Sequence, residues 1–296
     1  MKEKPFSKYQ ILANAVMIIW TLAIILPFIL LFMSSITDEN TLVANGYSFF
    51  PKKFSLASYS YIIKSGGQIL KAYGVSIGVT VVGTLLNVLL SALMAYPLSV
   101  KNLPGRNVMM FFVFFTMLFN GGIVPSYIMW TGTFHIKDTI FAQLLPNFLL
   151  SAWNVMMIRT YFTTSIPDGL YEAAEIDGAS QFTIFWKIVL PLEKPILVTM
   201  GTFAGLAYWN DWTNGLYYIV KNTGLYNVQN LLNQMVQNIQ FLTQSSNSNV
   251  TAAASTIPAT GIQMAIAFVA ILPIMLIFPS FQKYYAKGIA LGAVKG

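Results

Sequence analysis

The chain has 296 residues, of which 56% are hydrophobic and only 9% are charged, and its mean hydropathy is +0.63. Because a soluble domain carries about 25% charged residues, this composition excludes a protein that lies wholly in water. The net charge of +7 fits the Lys and Arg bias that orients membrane proteins better than it fits nucleic-acid binding. The absence of cysteine excludes disulfides and thiolate chemistry, and the single histidine, His135, excludes a multi-histidine metal site.

Six apolar segments are each long enough to cross a bilayer as an α-helix. They are predicted at residues 11–36, 72–100, 107–130, 139–162, 196–220 and 257–279. We therefore predict an all-α integral membrane protein with six transmembrane helices. Its divisions are an N-terminus of residues 1–10, a membrane domain of residues 11–280 and a C-terminal tail of residues 281–296.

The distribution of basic residues predicts the orientation. Eleven of the seventeen Lys and Arg residues fall on the side that holds both termini, which places the termini in the cytoplasm. Three connections are long. The loop of residues 163–195 is then cytoplasmic, and the loops of residues 37–71 and 221–256 lie outside.

The cytoplasmic loop has the pattern of a helical hairpin. Pro167 and Asp168 favour a helix start, and small apolar residues follow at helical spacing. Gly178 interrupts this helix, and a second amphipathic run ends at Pro191. From this pattern alone, the hairpin either links two spans along the membrane surface or offers a surface that another protein approaches closely.

The same loop carries a spaced motif: Glu-Ala-Ala, three residues, Gly, nine residues, Ile, one residue, Leu-Pro. The matching residues are Glu172, Ala173, Ala174, Gly178, Ile188, Leu190 and Pro191. This motif resembles the signature of the membrane subunits of bacterial ABC importers. Residues 281–296, 48–59 and 209–217 are similar to carbohydrate-uptake permeases of the maltose-transporter type, and residues 120–127 to a subgroup associated with complex oligosaccharides.

The resemblance implies a type I ABC importer permease of the bacterial cytoplasmic membrane, the C-terminal-type partner in a heterodimer. The implied partners are a second homologous permease, a cytoplasmic ABC ATPase dimer, an extracytoplasmic sugar-binding protein and membrane lipid. The chain would be non-catalytic and would hold no cofactor, because ATP and Mg would be bound by the ATPase. Its lack of a G-x-x-x-x-G-K-[ST] phosphate loop fits this division. The seven motif residues would dock into the ATPase, and sugar, expected as oligosaccharide, would cross by alternating access.

A candidate substrate path lies in the fifth segment. Sugars need hydrogen-bonding groups for hydroxyls and flat apolar surfaces for the ring, and amides and indoles supply both. The candidates are Trp209, Asn210, Asp211, Trp212 and Asn214, together with Asn154 in the fourth segment. A carboxylate at mid-depth costs about 2.5–3.5 kcal/mol on insertion scales, so it usually faces a cavity or a partner. The alternative is an interfacial aromatic belt with Asp211 satisfied by a neighbouring helix.

Other features leave two interpretations open. Asn120 to Gly122 with Pro125 should loosen the third segment, and Pro146 with Asn147 the fourth, either to line a binding site or as packing kinks. Residues 228–242 have helical periodicity. This outer helix either packs on the partner permease or, as in the maltose-type family, reaches into the binding protein.

Three rival functions fit the sequence less well. A membrane-embedded enzyme would need an acid–base pair, a nucleophile or a metal set at shared depth, and only Asp211 lies near mid-membrane. A passive channel would have no reason to hold the complete loop motif. An importer for a non-sugar solute remains the realistic alternative, although the amide-rich fifth segment suits neutral hydroxylated cargo better than anions.

Overall fold

The computed structural model describes residues 8–64, 66–244 and 259–293. In these ranges every regular element is helical, and extended pairing is limited to one bridge between Thr37 and Phe54. The predicted all-α class is confirmed. The chain divides into two compact units, a first unit of Met1–Ile69 with Leu232–Pro273 and a second unit of Leu70–Leu231 with Ile274–Gly296.

The first unit is built from five helices, two of which continue into the second unit. They are α1 (Lys8–Ser35), α2 (Glu39–Asn45), α3 (Ala57–Lys64), α14 (Val228–Gln244) from Leu232 onward and α15 (Ala259–Ala293) up to Pro273. Its core contains Ile62, Ile262 and Ile266. The Glu39 carboxylate accepts hydrogen bonds from the backbone N–H groups of Thr260 (2.9 Å) and Gly261 (2.8 Å). A negative charge is favourable there, because it meets unpaired N–H groups at the positive end of α15.

The second unit holds the remaining helices. They are α4 (Gly66–Ser99) from Leu70 onward, α5 (Arg106–Leu118), α6 (Ile123–Ile128), α7 (Phe141–Leu144), α8 (Ala152–Ser165), α9 (Asp168–Ile176), α10 (Gln181–Ile184), α11 (Leu190–Leu192), α12 (Lys194–Asn210) and α13 (Thr213–Tyr218). Two π-helical turns (Met129–Thr133 and Phe185–Val189), a 3-10 turn (Thr223–Leu225), the start of α14 and the end of α15 from Ile274 onward complete it.

Helix α4 runs through the second unit from one end to the other. Near its start, the Ser76 hydroxyl accepts a hydrogen bond from the N–H of Val228 (2.8 Å), and near its end Tyr96 contacts Phe185. These two positions are about 30 Å apart along the helix at 1.5 Å per residue, the thickness of a bilayer core. Gly83 allows close packing between them, because a Cβ there would lie 2.4 Å from the Tyr208 ring.

Three helices are long and apolar enough to cross a membrane without interruption: Lys8–Ser35, Gly67–Ser99 and Thr260–Ile277. They confirm the first, second and sixth predicted segments as continuous helices. Two further candidates are bent pairs, Arg106–Leu118 with Ile123–Thr133 at 110° and Gln181–Leu192 with Lys194–Asn210 at 80°.

The third, fourth and fifth predicted segments are each interrupted, and of these three breaks only the one in the fifth segment was not expected from the sequence. The third breaks between Leu118 and Ile123, where Asn120 Oδ1 accepts a hydrogen bond from the N–H of Gly122 (2.8 Å). The fourth is not helical over residues 145–151, and the fifth stops after Asn210. The cause is local, because short polar side chains and glycine offer the backbone an alternative to the helix. The expected loosening of the third and fourth segments is therefore confirmed.

Other boundaries also differ from the prediction. Helix α1 begins at Lys8, inside the predicted N-terminus of residues 1–10, and α15 continues to Ala293, past the start of the predicted tail at residue 281. The predicted outer helix is confirmed as α14. Residues 1–7 of the N-terminus, residues 245–258, which include part of the second outer loop, and residues 294–296 of the tail lie outside the described residues.

Candidate functional site

The loop of residues 163–195 forms the predicted helix–turn–helix, here called the hairpin and comprising residues 168–192. Helix α9 ends at Ile176, and a left-handed Gly178 with a φ of +77° follows two residues later. The N–H of Ala179 donates to the Ala174 carbonyl (3.0 Å). The Ser180 hydroxyl then accepts a hydrogen bond from the N–H of Thr183 (3.2 Å) and caps α10. Glycine adopts this backbone conformation without a steric penalty, which explains the residue type at the turn. The second run does not end at Pro191, because α11 continues to Leu192 before the chain bends.

The motif residues divide between two faces of the hairpin. Ala174 is buried, and Ile188 and Leu190 are half-buried against the core that contains Phe162. The remaining motif residues are exposed, namely Glu172, Ala173, Gly178 and Pro191. One part of the motif therefore anchors the hairpin, and the other part faces outward.

Large apolar side chains accompany the exposed motif residues. Ile176 is 85% exposed and Phe182 is 67% exposed, and the ring of Phe182 contacts that of Trp186 edge-on, with centroids 5.9 Å apart. Sequence reasoning did not name Ile176 or Trp186 as functional. Both are large apolar residues on the side of the hairpin opposite to its packed face, and an exposed apolar patch of this kind is typical of an interaction surface.

A chain of polar contacts joins the hairpin to the end of α4. The Tyr96 hydroxyl donates to Gln181 Oε1 (2.6 Å), and Gln181 Nε2 donates to Glu175 Oε1 (2.7 Å). The Lys101 ammonium forms an ion pair with Asp168 (2.5 Å). Both hairpin helices are thus tied to the same end of α4.

A cavity of about 240 Å³ lies between the hairpin and the ends of α4 and α8. Its lining residues are Ser99, Val100, Lys101, Asn102, Phe162, Thr163, Ile166, Asp168, Tyr171, Glu172, Glu175 and Gln181. Burial raises the pKa of the Tyr171 phenol to about 12, so this group stays neutral at physiological pH.

Glu193 occupies the 80° bend between the hairpin and α12. Its side chain is 3% exposed, and Oε2 has no hydrogen-bond partner among the described residues. Burial raises the pKa of its carboxyl group to about 7, because a low-dielectric environment disfavours the charged form. A titratable group therefore lies where the hairpin joins a predicted span.

At the opposite end of α4, Asp211 terminates α12 and begins α13. Its Oδ1 accepts hydrogen bonds from the N–H of Thr213 (3.0 Å), the hydroxyl of Thr213 (2.7 Å) and the N–H of Asn214 (3.3 Å). Asp211 is buried, and its Oδ2 has no partner among the described residues. The Asp211 carboxylate thus caps the short helix that follows the break.

The other predicted path residues have different environments. Asn214 is buried, where its Nδ2 donates to the Pro146 carbonyl (3.1 Å) and its Oδ1 accepts from Asn147 (3.3 Å). Asn154 is also buried, and it donates to Asn87 Oδ1 (2.7 Å). Trp209 packs against Tyr73, with ring centroids 6.3 Å apart. Only two of the six residues are exposed, Asn210 and Trp212.

Sequence reasoning missed three buried amides beside this break. Asn227 Nδ2 donates to the Asp211 carbonyl (2.6 Å), Asn230 Nδ2 donates to the Trp212 carbonyl, and Gln143 Nε2 donates to Asn230 Oδ1 (3.4 Å). These groups hold the non-helical backbone between α12 and α13. In the sequence, two of these amides could have been noticed as a pair of asparagines at the start of the predicted outer helix.

Sequence reasoning also missed Asp138. Its carboxylate accepts hydrogen bonds from three successive backbone N–H groups, those of Val220 (2.7 Å), Lys221 (2.7 Å) and Asn222 (3.2 Å). The Lys221 N–H contributes most to lowering the pKa of this carboxyl group. Asp138 therefore fastens the loop that follows α13.

Among the described residues, no group of three His, Cys, Asp or Glu side chains could hold a metal ion.

Comparison with known proteins identifies the family. The family described as the binding-protein-dependent transport system inner membrane component matches residues 72–291. Protein LplC of Bacillus subtilis (strain 168) is 36% identical over 272 residues, which cover 92% of this chain and 90% of LplC. The polygalacturonan/rhamnogalacturonan transport system permease protein YtcP of the same organism is 36% identical over 288 residues, which cover 97% of this chain and 98% of YtcP.

A solved structure shows the same fold. The crystal structure of a bacterial ABC transporter involved in the import of the acidic polysaccharide alginate contains a chain with a TM-score of 0.78 and 26% identity. The match covers 96% of this chain and 100% of that chain. The chain therefore belongs to the family of binding-protein-dependent transport system inner membrane components, as a multi-pass, non-catalytic permease subunit with the type I ABC importer fold in the bacterial plasma membrane.

Proposed function

We propose that this permease carries oligosaccharides into the cell. Two similar proteins support this cargo, because YtcP is named for polygalacturonan and rhamnogalacturonan transport and the structural neighbour imports alginate. The chain contributes suitable groups at the break in the fifth segment. Asn210 offers an exposed amide for hydroxyl groups, and the 44% exposed indole of Trp212 offers a flat apolar surface.

The hairpin is the proposed docking element for the ATPase. The observation that carries this assignment is its division into an exposed and an anchored face. Glu172, Ala173 and Gly178 face outward beside the exposed Ile176, whereas Ala174 packs against the core. A force applied to the outer face would reach the spans through the packed residues, because close-packed interiors transmit displacement.

The proposed assembly contains this chain, a second homologous permease as its heterodimer partner, an ATPase dimer and an extracytoplasmic sugar-binding protein, all within membrane lipid. ATP and Mg would be bound by the ATPase, and this chain would hold no cofactor. Both termini and the hairpin would lie in the cytoplasm. ATP-driven closure of the ATPase would move the hairpin and switch the access of the path.

In the proposed path, sugar contacts the exposed residues Asn210 and Trp212. The buried residues support them, namely Trp209, Asp211, Asn214 and Asn154. The buried members hold the break between α12 and α13 or the neighbouring helices through bonds within the chain. This arrangement supports a path whose sugar contacts are made by the two exposed residues. Broken helices at membrane depth are typical of such sites.

The first experiment is purification of the tagged chain from its membrane in mild detergent, with mass spectrometry of the co-purifying proteins. Recovery of a second permease and an ATPase supports the proposed assembly. Recovery of the chain alone, even after crosslinking, would contradict it and would lead to a test for passive conductance.

A second experiment identifies the cargo with the cognate binding protein. Acidic oligosaccharides, neutral oligosaccharides and amino acids are compared by calorimetry and then by ATP-dependent uptake into proteoliposomes. Acidic sugars are included because the alginate importer carries an acidic polysaccharide, whereas uncharged amide and indole groups suit a neutral one. Uptake of amino acids without uptake of any sugar would contradict the proposed cargo.

A further inference from the structure

Two arginine side chains converge on one backbone carbonyl at the hairpin end of α4. The Nε–H groups of Arg106 and Arg159 both donate to the Leu98 carbonyl, at 3.0 Å and 3.1 Å. Leu98 lies in the last turn of α4, where carbonyl groups lack a donor within the helix. Because each Nε lies about 3 Å from the same oxygen, the two Nε atoms are no more than about 6 Å apart.

The arginine pair has no acidic partner among the described residues. The ion pairs among the described residues join Lys53 to Asp38 and Lys101 to Asp168. A guanidinium has five N–H donors, and each arginine uses one of them for Leu98. Both residues are half-buried, so the two like charges repel one another with little screening. An anion that bridges the free donors would relieve this repulsion.

The start of α5 adds to the positive potential. Arg106 is the first residue of this 13-residue helix, and its first turn contains no acidic side chain. The positive end of the helix dipole is therefore not neutralised within the chain. Beyond Arg106, α5 is apolar and exposes Val108, Phe111 and Phe112, a surface that acyl chains can contact.

We propose that Arg106 and Arg159 bind the phosphate of an anionic phospholipid headgroup. The guanidinium fork matches the geometry of phosphate oxygens, and basic sites between membrane helices are suited to lipid headgroups. The lipid would hold the ends of α4, α5 and α8 together beside the hairpin. The assignment concerns a site separate from the proposed sugar path, and it does not depend on the cargo.

The test is native mass spectrometry of the purified transporter complex titrated with phosphatidylglycerol or phosphatidylcholine. We compare the wild type with Arg106→Gln and Arg159→Gln. In either variant the other arginine still donates to the Leu98 carbonyl, so no buried acceptor is left empty. Loss of one charge-assisted hydrogen bond should weaken phosphatidylglycerol binding by about tenfold. Lys101→Gln is the matched control, because it removes a basic residue from the same end that already has an acidic partner, and it should change binding less than about twofold.

Arg159→Lys separates charge from structure, because it keeps the charge but loses the planar fork. It should bind phosphatidylglycerol more tightly than Arg159→Gln at the same thermal stability. Equal binding of phosphatidylglycerol by the wild type and both glutamine variants would overturn the proposal. A parallel titration with inorganic phosphate distinguishes the source of the anion. If phosphate alone binds the wild type and displaces phosphatidylglycerol at equal concentration, the lipid assignment is overturned and the site is one for free phosphate.

Discussion

The two ends of α4 carry polar groups in opposite arrangements. At the hairpin end, Glu172 and Gly178 are exposed, and the bond from Tyr96 to Gln181 holds the hairpin from behind. At the other end, Asp211 and Asn214 are buried, and their hydrogen-bond partners come from the chain itself. The hairpin end therefore exposes its polar residues, whereas the other end buries them in hydrogen bonds within the chain.

This difference separates two tasks for polar residues in a membrane protein. A buried polar group left without a partner costs about 1–3 kcal/mol, so the groups around Asp211 stabilise a broken helix only while their bonds are intact. An exposed surface with internal anchoring is instead available to another molecule. Changes at the hairpin surface and at its contacts with α4 should therefore alter coupling, whereas changes at the buried groups of the breaks and bends should alter stability.

The largest effect is expected for Gly178→Trp. A Cβ at Gly178 meets nothing within 4 Å, so the bulky side chain clashes with no other residue of the chain, and the left-handed backbone adds a local strain of about 1–2 kcal/mol. We expect the variant to insert normally but to lose ATP hydrolysis stimulated by the binding protein, measured in proteoliposomes. Gly178→Asn is the control, because Asn tolerates the left-handed backbone and adds little bulk, and it should retain most of the activity. Unimpaired coupled transport by Gly178→Trp would remove the docking assignment.

The next largest effect is expected for Gly215→Ala at the opposite end. A Cβ at Gly215 would lie 1.8 Å from Asn230 Oδ1, so the amide network must shift. Overpacking of this kind should lower the free energy of unfolding by about 3 kcal/mol, measured by thermal unfolding of the complex in detergent. Gly201→Ala is the control, because its Cβ meets Val88 at an ordinary 3.4 Å. Combining Gly215→Ala with Asn230→Ala should restore part of the loss, and no restoration would contradict the clash.

Glu193→Gln tests whether the buried carboxyl group at the bend makes the stability of the protein depend on pH. Because burial raises the folded-state pKa from 4.5 to about 7, the folded protein holds this proton more tightly than the unfolded chain. The resulting stabilisation is complete below pH 4.5 and is lost as the pH rises to about 7. Glutamine does not titrate, so the variant should melt at a higher temperature than the wild type above pH 7. Glu193→Asp keeps a titrating carboxyl and should follow the wild type; parallel pH profiles for the wild type and Glu193→Gln would refute this role.

The smallest effect is expected for Tyr96→Phe. The variant loses only the hydroxyl that donates to Gln181, a net contribution of about 1 kcal/mol. We expect a lower ratio of sugar transported to ATP hydrolysed, with assembly of the complex unchanged. Tyr61→Phe, at an exposed position of α3, should leave the ratio unaltered. If both variants transport and hydrolyse like the wild type, the contact does not contribute to coupling.

Features that depend on residues close together in the sequence were predictable, whereas features held by residues from distant parts of the chain were not. The hairpin was predictable, because Gly178, the small residues and their spacing act within two turns of helix. Asn120 and Pro146 indicated the breaks in the third and fourth segments. The break in the fifth segment was not predicted, because a count of apolar residues does not register that the Asp211 carboxylate binds backbone N–H groups. Asn227 and Asn230, which hold the break in the fifth segment, come from another part of the chain.

By itself, the sequence determined that the protein lies in a membrane, that it is all-α, that it contains the hairpin and which family it resembles. Each of these depends on composition or on residues close together in the chain. The tertiary structure alone decided that Asp211 and Asn214 are buried while Asn210 and Trp212 are exposed, and that Arg106 meets Arg159 at the Leu98 carbonyl. The physical reason is that exposure and hydrogen-bond partners depend on contacts between helices that no local pattern encodes.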